Sequence, residues 1–276
     1  MAKVDIREIV TRKIIEGLEQ GQIPWVKGWR DGMAVNHVTG KSYRGLNQLS
    51  LSYVAENKGW INRWVSIGLI RKNEWRIKAG ESPQYIAFFK WVTKEEDDGS
   101  ENTFPLLRYY KVWSISQLED ELEVPEPEEF NPIDKAESVI SNMPQCPNLN
   151  FGGNQPAYNP LSDTVRMPLQ ETFFSPDEYY STFYHELAHS TGHEKRLNRE
   201  LSLNFGSEEY GLEELVAEFT AAFLCAESGI ENTIKNSTAY VQNWLKVLKN
   251  DRQMLLTAAS LAQKASDFIL GVTWDN

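Results

Sequence analysis

The residues of this chain that most directly specify chemistry are His185-Glu186-Leu187-Ala188-His189. Two histidines four apart share one face of a helix and can hold one divalent ion, zinc above all, through their ring nitrogens. The glutamate between them then stands beside the ion's bound water and can act as general base, with the ion lowering that water's pKa toward ~7. A helix is expected here. Ser175 is a candidate N-cap, Pro176 suits the first helical position, Asp177 and Glu178 suit its positive end, and Gly192 can end it.

A catalytic zinc site needs a third protein ligand and an open position. His193 follows His189 by four residues, but on an unbroken helix it would stand ~12 Å along the axis from His185, so only a sharp reversal at Gly192 could return it. The run GLEELVAEFTAAFL at 211–224 offers more. Glu214 and Glu218 lie one turn apart on one face of an apolar helix, and carboxylates facing a core need cationic company. Glu214 is therefore assigned as third ligand. Glu218 is expected to orient a ligand histidine, with His193 in a similar supporting place. Glu213, one residue out of phase, is expected to be solvated. The strand DTVRMP just before the HExxH helix could be an edge strand that pairs an extended peptide.

The elements that must position these groups follow from periodicity. Ile6, Ile9, Val10, Ile14 and Leu18 mark a helix over residues 5–20. AVNHVTGKSYRG reads as a hairpin turning at Thr39-Gly40, followed by a helix over 46–58. YIAFFKWVT and FPLLRYYKVWS are aromatic-rich strands flanking the acidic turn EEDDGSE. A helix is expected over 133–142, then two short strands around Ser162-Asp163, and helices almost throughout from Ser175. The fold class is α+β. A small α+β segment with antiparallel hairpins (1–117) leads through an acidic, Pro-rich linker (118–132) to a mainly helical domain with a short sheet (133–276).

Length supports two modules, since 276 residues exceed the usual ~100–200 of a domain. With 28 Lys+Arg and 39 Asp+Glu the net charge is −11, which taken whole argues against nucleic acid. Residues 1–116 carry 18 basic and 13 acidic side chains, a balance of +5, and the remaining 10 and 26 give −16. The first segment also holds Trp25, Trp29, Trp60, Trp64, Trp75, Trp91 and Trp113, seven of the nine tryptophans. Basic grooves with aromatic faces bind single strands without reading sequence. Trp25, Lys27, Trp29, Arg30, Lys41, Tyr43, Arg44, Arg63 and Trp64 are the candidate DNA-binding residues. Two cysteines without CxxC spacing exclude a disulfide scaffold, and Cys225 in AAFLCAE reads as core. Neither a signal peptide nor a run of ~18 apolar residues is visible, so a cytoplasmic protein without membrane contact is expected.

These motifs resemble a known family. AYNPLSDTVRMP, YYSTFYHELAHSTGHEKRL and YGLEELVAEFTAAFL are similar to the zincin-like domain of ArdC-type plasmid antirestriction proteins. IIEGLEQGQIPWVKGW, YRGLNQLSL and WVSIGLIRKNEWRIKAGESPQYIAFF resemble that family's single-stranded-DNA-binding domain. The resemblance implies a protein of a plasmid or mobile element, associated with conjugation, that helps incoming DNA survive restriction. It implies a gluzincin-like zinc metallopeptidase, with His185, His189 and Glu214 as ligands of Zn2+ (or another divalent metal) and Glu186 as base. Its partners would be single-stranded DNA and a protein substrate or restriction-system protein. The alternative is a non-enzymatic DNA- and protein-binding antirestriction factor whose metal site is structural or vestigial.

Overall fold

The computed structural model describes residues 6–20, 23, 33–95, 101–125, 132–199, 201, 208–232, 244–245, 248–249, 251 and 253–273, of which 6–9, 89–95, 101–107, 132 and 208 by backbone alone. The fold is α+β. Its first part contains α1 (Ile6–Glu19), β1 (Val35–Asn36), α2 (Gly45–Lys58), β2 (Arg63–Ser66), α3 (Ile67–Lys72), β3 (Gln84–Glu95) and β4 (Glu101–Ser114). The strands form one sheet in the order β1-β2-β4-β3. The expected long hairpin is β3–β4, paired antiparallel from Gln84–Val112 to Glu95–Glu101. The hairpin expected at AVNHVTGKSYRG is present in short form, with the Asn36 N–H donating to Lys41 O at 2.9 Å and the Tyr43 N–H donating to Ala34 O at 2.8 Å. Asn36 Oδ1 accepts from Val38 and Thr39 N–H, Gly40 takes φ +67°, and Val35 and Ser42 bridge across it. β1 also pairs in parallel with β2.

The second part contains α4 (Pro132–Ser141), β5 (Asn148–Phe151), β6 (Ala157–Asn159), β7 (Thr164–Met167), α5 (Pro176–Ser190), α6 (Glu208–Ser228) and α7 (Met254–Ile269). Its sheet runs β5-β7-β6. The DTVRMP strand, expected at an edge, is therefore the central strand, and the edges belong to β5 and β6. Strand β5 pairs in parallel with β7 and is short, its Asn-Leu-Asn-Phe alternation covering only four residues.

Helix α6 is buried on all sides from Glu213 to Ala226, where the run LVAEFTAAFLCA is apolar but for Glu218 and Thr220. One side, with Leu215, Val216, Phe219, Ala222 and Phe223, packs with Val10, Ile14 and Leu18 of α1, Leu46 and Leu49 of α2, and Leu255, Ala258 and Ala259 of α7. The other, with Ala221, Leu224 and Cys225, packs with Tyr180, Phe183, Tyr184 and Leu187 of α5 and Val165 and Met167 of β7. The first of these cores crosses the acidic segment, so helices from both ends of the chain share one apolar interior. The seam is also polar. Arg44 pairs with Asp267 of α7, and Gln263 Oε1 accepts the Gly45 N–H at 2.9 Å, capping α2 from across the seam.

The start of the expected linker is itself docked. Leu118 is buried against the small core of Val65, Ile70, Trp113 and Ile115 and bridges Ile77, while Asp120 accepts the Arg76 N–H at 2.7 Å. Acids and prolines signal an exposed segment, but Leu118 and Leu122 pull its first turn onto the sheet.

Candidate metal centre

Helix α5 begins as its sequence dictates. Ser175 Oγ accepts the Glu178 N–H at 3.1 Å, and Pro176 occupies the first turn. The helix carries His185 and His189 to a crossing with α6, where their Nε2 atoms face each other at 3.1 Å. Glu214 Oε2 lies 3.7 Å from Nε2 of His185, and its Oε1 lies 3.7 Å from Nε2 of His189. One ligand atom from each of these three residues lies within 4.8 Å of the others. Ligand bonds of ~2.0–2.2 Å in a tetrahedron separate neighbouring donor atoms by ~3.3 Å, so this triangle has the size of one face of a divalent-metal site.

The surroundings fit the same ion. Nδ1 of His189 lies 3.2 Å from Glu213 Oε1. With that nitrogen donating to the carboxylate, the Nε2 lone pair is directed at the centre. Nδ1 of His185 is buried without a hydrogen bond, 3.6 Å from Glu218 Oε1, a carboxylate only 1% exposed as a residue. Glu186, Glu213, Glu214 and Glu218 are all buried here. Burial opposes charge on His189, but the Glu213 hydrogen bond and the nearby carboxylates outweigh it and push its pKa up to about 9. His185 is held well below the ordinary histidine value by burial and by the neighbouring His189 charge. A protein site this rich in buried carboxylate calls for a cation.

Glu186 sits beside the histidines, and burial raises its carboxyl pKa against the lowering influence of His189 and of the Tyr158 backbone N–H, which donates to it. Tyr158 belongs to the edge strand β6. Its own hydroxyl donates to Asp163 Oδ1 at 3.1 Å, and burial together with that carboxylate pushes its pKa up to about 12, so it stays a neutral donor. A cleft of about 290 Å3 opens over the three ligand atoms, walled by Ala157, Tyr158, Leu201 and Tyr210.

The sequence expectations meet this geometry unevenly. Histidines 185 and 189, Glu186, Glu214 and Glu218 are brought together. Glu213, expected in solvent, is 7% exposed and pairs through both oxygens with Arg199, whose Nη2 and Nε lie at 2.8 and 3.1 Å. The chain does reverse after Gly192, where an added Cβ would stand 2.5 Å from Leu201 Cδ2. That reversal delivers Arg199 to the site. His193 stays at the bend, its Nδ1 accepting the Lys195 N–H, away from the cleft. Arg196 and Arg199 stand in a charged stretch that resembles any solvated loop, so their burial had no local signal.

Of the candidate DNA-binding residues, Trp25, Lys27, Trp29 and Arg30 lie outside the described residues. Trp64 is fully buried, with Nε1 donating to Asn62 Oδ1 at 2.9 Å, and cannot stack on a base. Its place in a central position of β2, against Leu51 and Val112, makes it core. Arg44 is engaged with Asp267, and Tyr43 packs half-buried against the Trp64 core. Lys41 is exposed, and half-buried Arg63 directs Nε toward His37 Nδ1 at 3.4 Å.

Comparison with known proteins agrees with both halves of the chain. Residues 4–113 match the N-terminal domain of anti-restriction factor ArdC, and residues 134–261 match a zincin-like metallopeptidase domain. The metal-free crystal structure of the antirestriction protein ArdC from plasmid R388 superposes with a TM-score of 0.81 at 30% identity, covering 96% of this chain and 97% of that one. This chain belongs to the ArdC antirestriction family. The Mn(II)-bound structure of the R388 ArdC protein matches with a TM-score of 0.79, also at 30% identity, over 97% and 98% of the two chains. The uncharacterized protein y4eC of Sinorhizobium fredii is 31% identical over 96% of this chain and 91% of its own length. Two Escherichia coli proteins named DNA primase TraC are 28% and 29% identical over 97% of this chain, which spans only 20% and 27% of their lengths. Similar sequences thus also occur within longer chains. Among the described residues no helix is long and apolar enough to cross a membrane.

Proposed function

We propose that this protein is an antirestriction factor of a plasmid or mobile element that binds single-stranded DNA and hydrolyses DNA-associated proteins at a zinc site. The convergence of His185, His189 and Glu214 beside buried Glu186, in a cleft bordered by edge strand β6, supports this reading most strongly. The two histidines and Glu214 would hold the ion. Zinc, when bound, supplies Lewis-acid activation of water and of a peptide carbonyl. Glu186 takes the proton of the attacking water and returns it to the leaving amine, and its raised pKa suits a group that must do both. Carbonyls of β6 around Tyr158 offer an extended substrate hydrogen-bond acceptors. The Tyr158 N–H meanwhile holds the Glu186 carboxylate in place.

On this reading residues 1–117 supply the DNA-binding part, 118–132 the connection and 133–276 the peptidase part, in the cytoplasm. The +5 balance of the first 116 residues, exposed Lys41 and accessible Arg63 are the features that favour phosphate contact. Since α1 and α2 bury their apolar faces against α6 and α7, DNA binding belongs in an experiment on the full chain.

The deciding experiment compares Glu186→Gln with wild type for zinc content, cleavage of proteins bound to single-stranded DNA, and survival of incoming plasmid under restriction. We expect unchanged zinc, lost cleavage and lost protection. Retained zinc with full protection, and no cleavage by either protein, would refute the catalytic reading and leave a binding factor with a structural metal.

A further inference from the structure

We propose that Arg199 is a positioning residue for the metal centre, acting through Glu213 to fix the ring orientation and tautomer of His189. The inference rests on the reading that His185, His189 and Glu214 hold a divalent cation. Arg199 comes from the loop that doubles back after α5, where its backbone N–H donates to Gly192 O at 2.9 Å and the Leu197 N–H donates to Thr191 O at 2.9 Å. Its guanidinium, 7% exposed, makes four short contacts. Nε and Nη2 donate to Glu213 Oε2 and Oε1, Nη1 donates to Thr191 Oγ1 at 2.6 Å, and Nη2 also donates to Ala188 O at 3.0 Å.

Two of these partners, Ala188 and Thr191, flank His189 on α5, and the third is the α6 carboxylate that faces His189 Nδ1. One planar cation therefore joins the end of α5 to α6 around a single ligand ring. A bidentate guanidinium–carboxylate pair allows the carboxylate little rotation. Glu213 Oε1 is the atom shared between Arg199 and His189. If that oxygen turns away, His189 Nδ1–H loses its acceptor, and the proton can move to Nε2, the nitrogen needed at the metal. The other histidine has different surroundings: its Nδ1 faces Glu218 at 3.6 Å, beyond hydrogen-bond distance. Arg199 thus sets one ligand and not the pair.

A structural staple would use the same contacts to Ala188 and Thr191, so the test must separate the two roles. Metal-stripped full-length protein is titrated with Zn2+ under chelator competition, for wild type, Arg199→Ala, Glu213→Ala and the double variant. Supporting residues of this kind typically contribute about 10–100-fold in metal affinity. We expect each single variant to lose that much, and the double variant to lose no more than about twofold beyond Glu213→Ala. The visible spectrum of bound Co2+ should change in Arg199→Ala, as the ring of one ligand turns.

Arg199→Ala affinity within twofold of wild type would overturn the proposal. So would losses that multiply, because Arg199 would then act independently of Glu213. Should Arg199→Ala fail to fold, Arg199→Lys carries the test: one donor in place of a fork should leave affinity between wild type and Glu213→Ala, and equality with wild type would refute the idea. Wild type that takes no Zn2+, or Glu214→Ala that binds as well as wild type, would instead bring down the underlying metal reading and this proposal with it.

Discussion

Removing the charge of Asp163 alone should loosen the wall of the cleft. Asp163 lies in the β6–β7 turn with φ +48°, a left-handed conformation that Asn tolerates as well as Asp, so Asp163→Asn keeps the turn and the shape. Its carboxylate pairs with Arg196, whose side chain is 1% exposed, and accepts from the Tyr158 hydroxyl. Removing one partner of a buried pair generally costs ~3–5 kcal/mol, because the other charge stays buried. Arg196 retains Ser190 O at 2.7 Å and Gln145 O at 2.9 Å, and the Asp163 side chain is 15% exposed, so we expect the lower end, ~3 kcal/mol. At ~2–4 °C per kcal/mol for a domain of this size, Tm should fall by ~6–12 °C.

The pH dependence fixes the mechanism. Burial pushes the Asp163 pKa up, but the Arg196 hydrogen bond and charge more than reverse this, so the folded value lies below the ordinary one. Its stabilisation is therefore fully present above the ordinary aspartate pKa of ~4 and is lost as pH falls through the depressed folded value. Urea unfolding of both proteins at neutral pH and at pH ~2–3 should show a gap that narrows in acid. A neutral-pH difference below ~1 kcal/mol, or curves that stay parallel into acid, would refute the reasoning.

Two further outcomes follow from the cores. Phe219→Ala, in the interior shared by α1, α2, α6 and α7, should cost ~3–5 kcal/mol and still give one unfolding transition; two transitions, with only one shifted, would show that the halves unfold independently. Trp64→Phe should lower stability through the lost Asn62 hydrogen bond while changing single-stranded-DNA affinity less than about twofold, whereas Lys41→Ala should reduce the salt slope by ~0.7 if Lys41 meets a phosphate. A large affinity loss at Trp64 without loss of stability would contradict its placement in the core.

Much of the site was legible because its signals are local. The i, i+4 histidines of α5 and the i, i+4 glutamates of α6 share a helix face by helical geometry alone, and Ser175-Pro176 states where α5 begins. The long β3–β4 hairpin was likewise carried by two aromatic runs on either side of a turn. Glu213 was misread because its helix is buried on both sides: a phase that would face water on an amphipathic helix faces Arg199 and His189 here. Trp64 was misread because a tryptophan amid arginines has the same local pattern whether it stacks on bases or fills a sheet.

By itself, then, the sequence determined most of the helices, the β3–β4 hairpin, the helix faces that carry His185, His189 and Glu214, and the split of charge, since each depends on nearby residues. Tertiary structure alone decided that both ends of the chain share one core, that β6 and not β7 borders the cleft, and that the chain after α5 returns with Arg199 and not His193. Those outcomes depend on which faces are buried against which, and burial of a charge is settled by partners far away in sequence: Arg199 can leave water only because Glu213, on the next helix, arrives with two oxygens at the right distance.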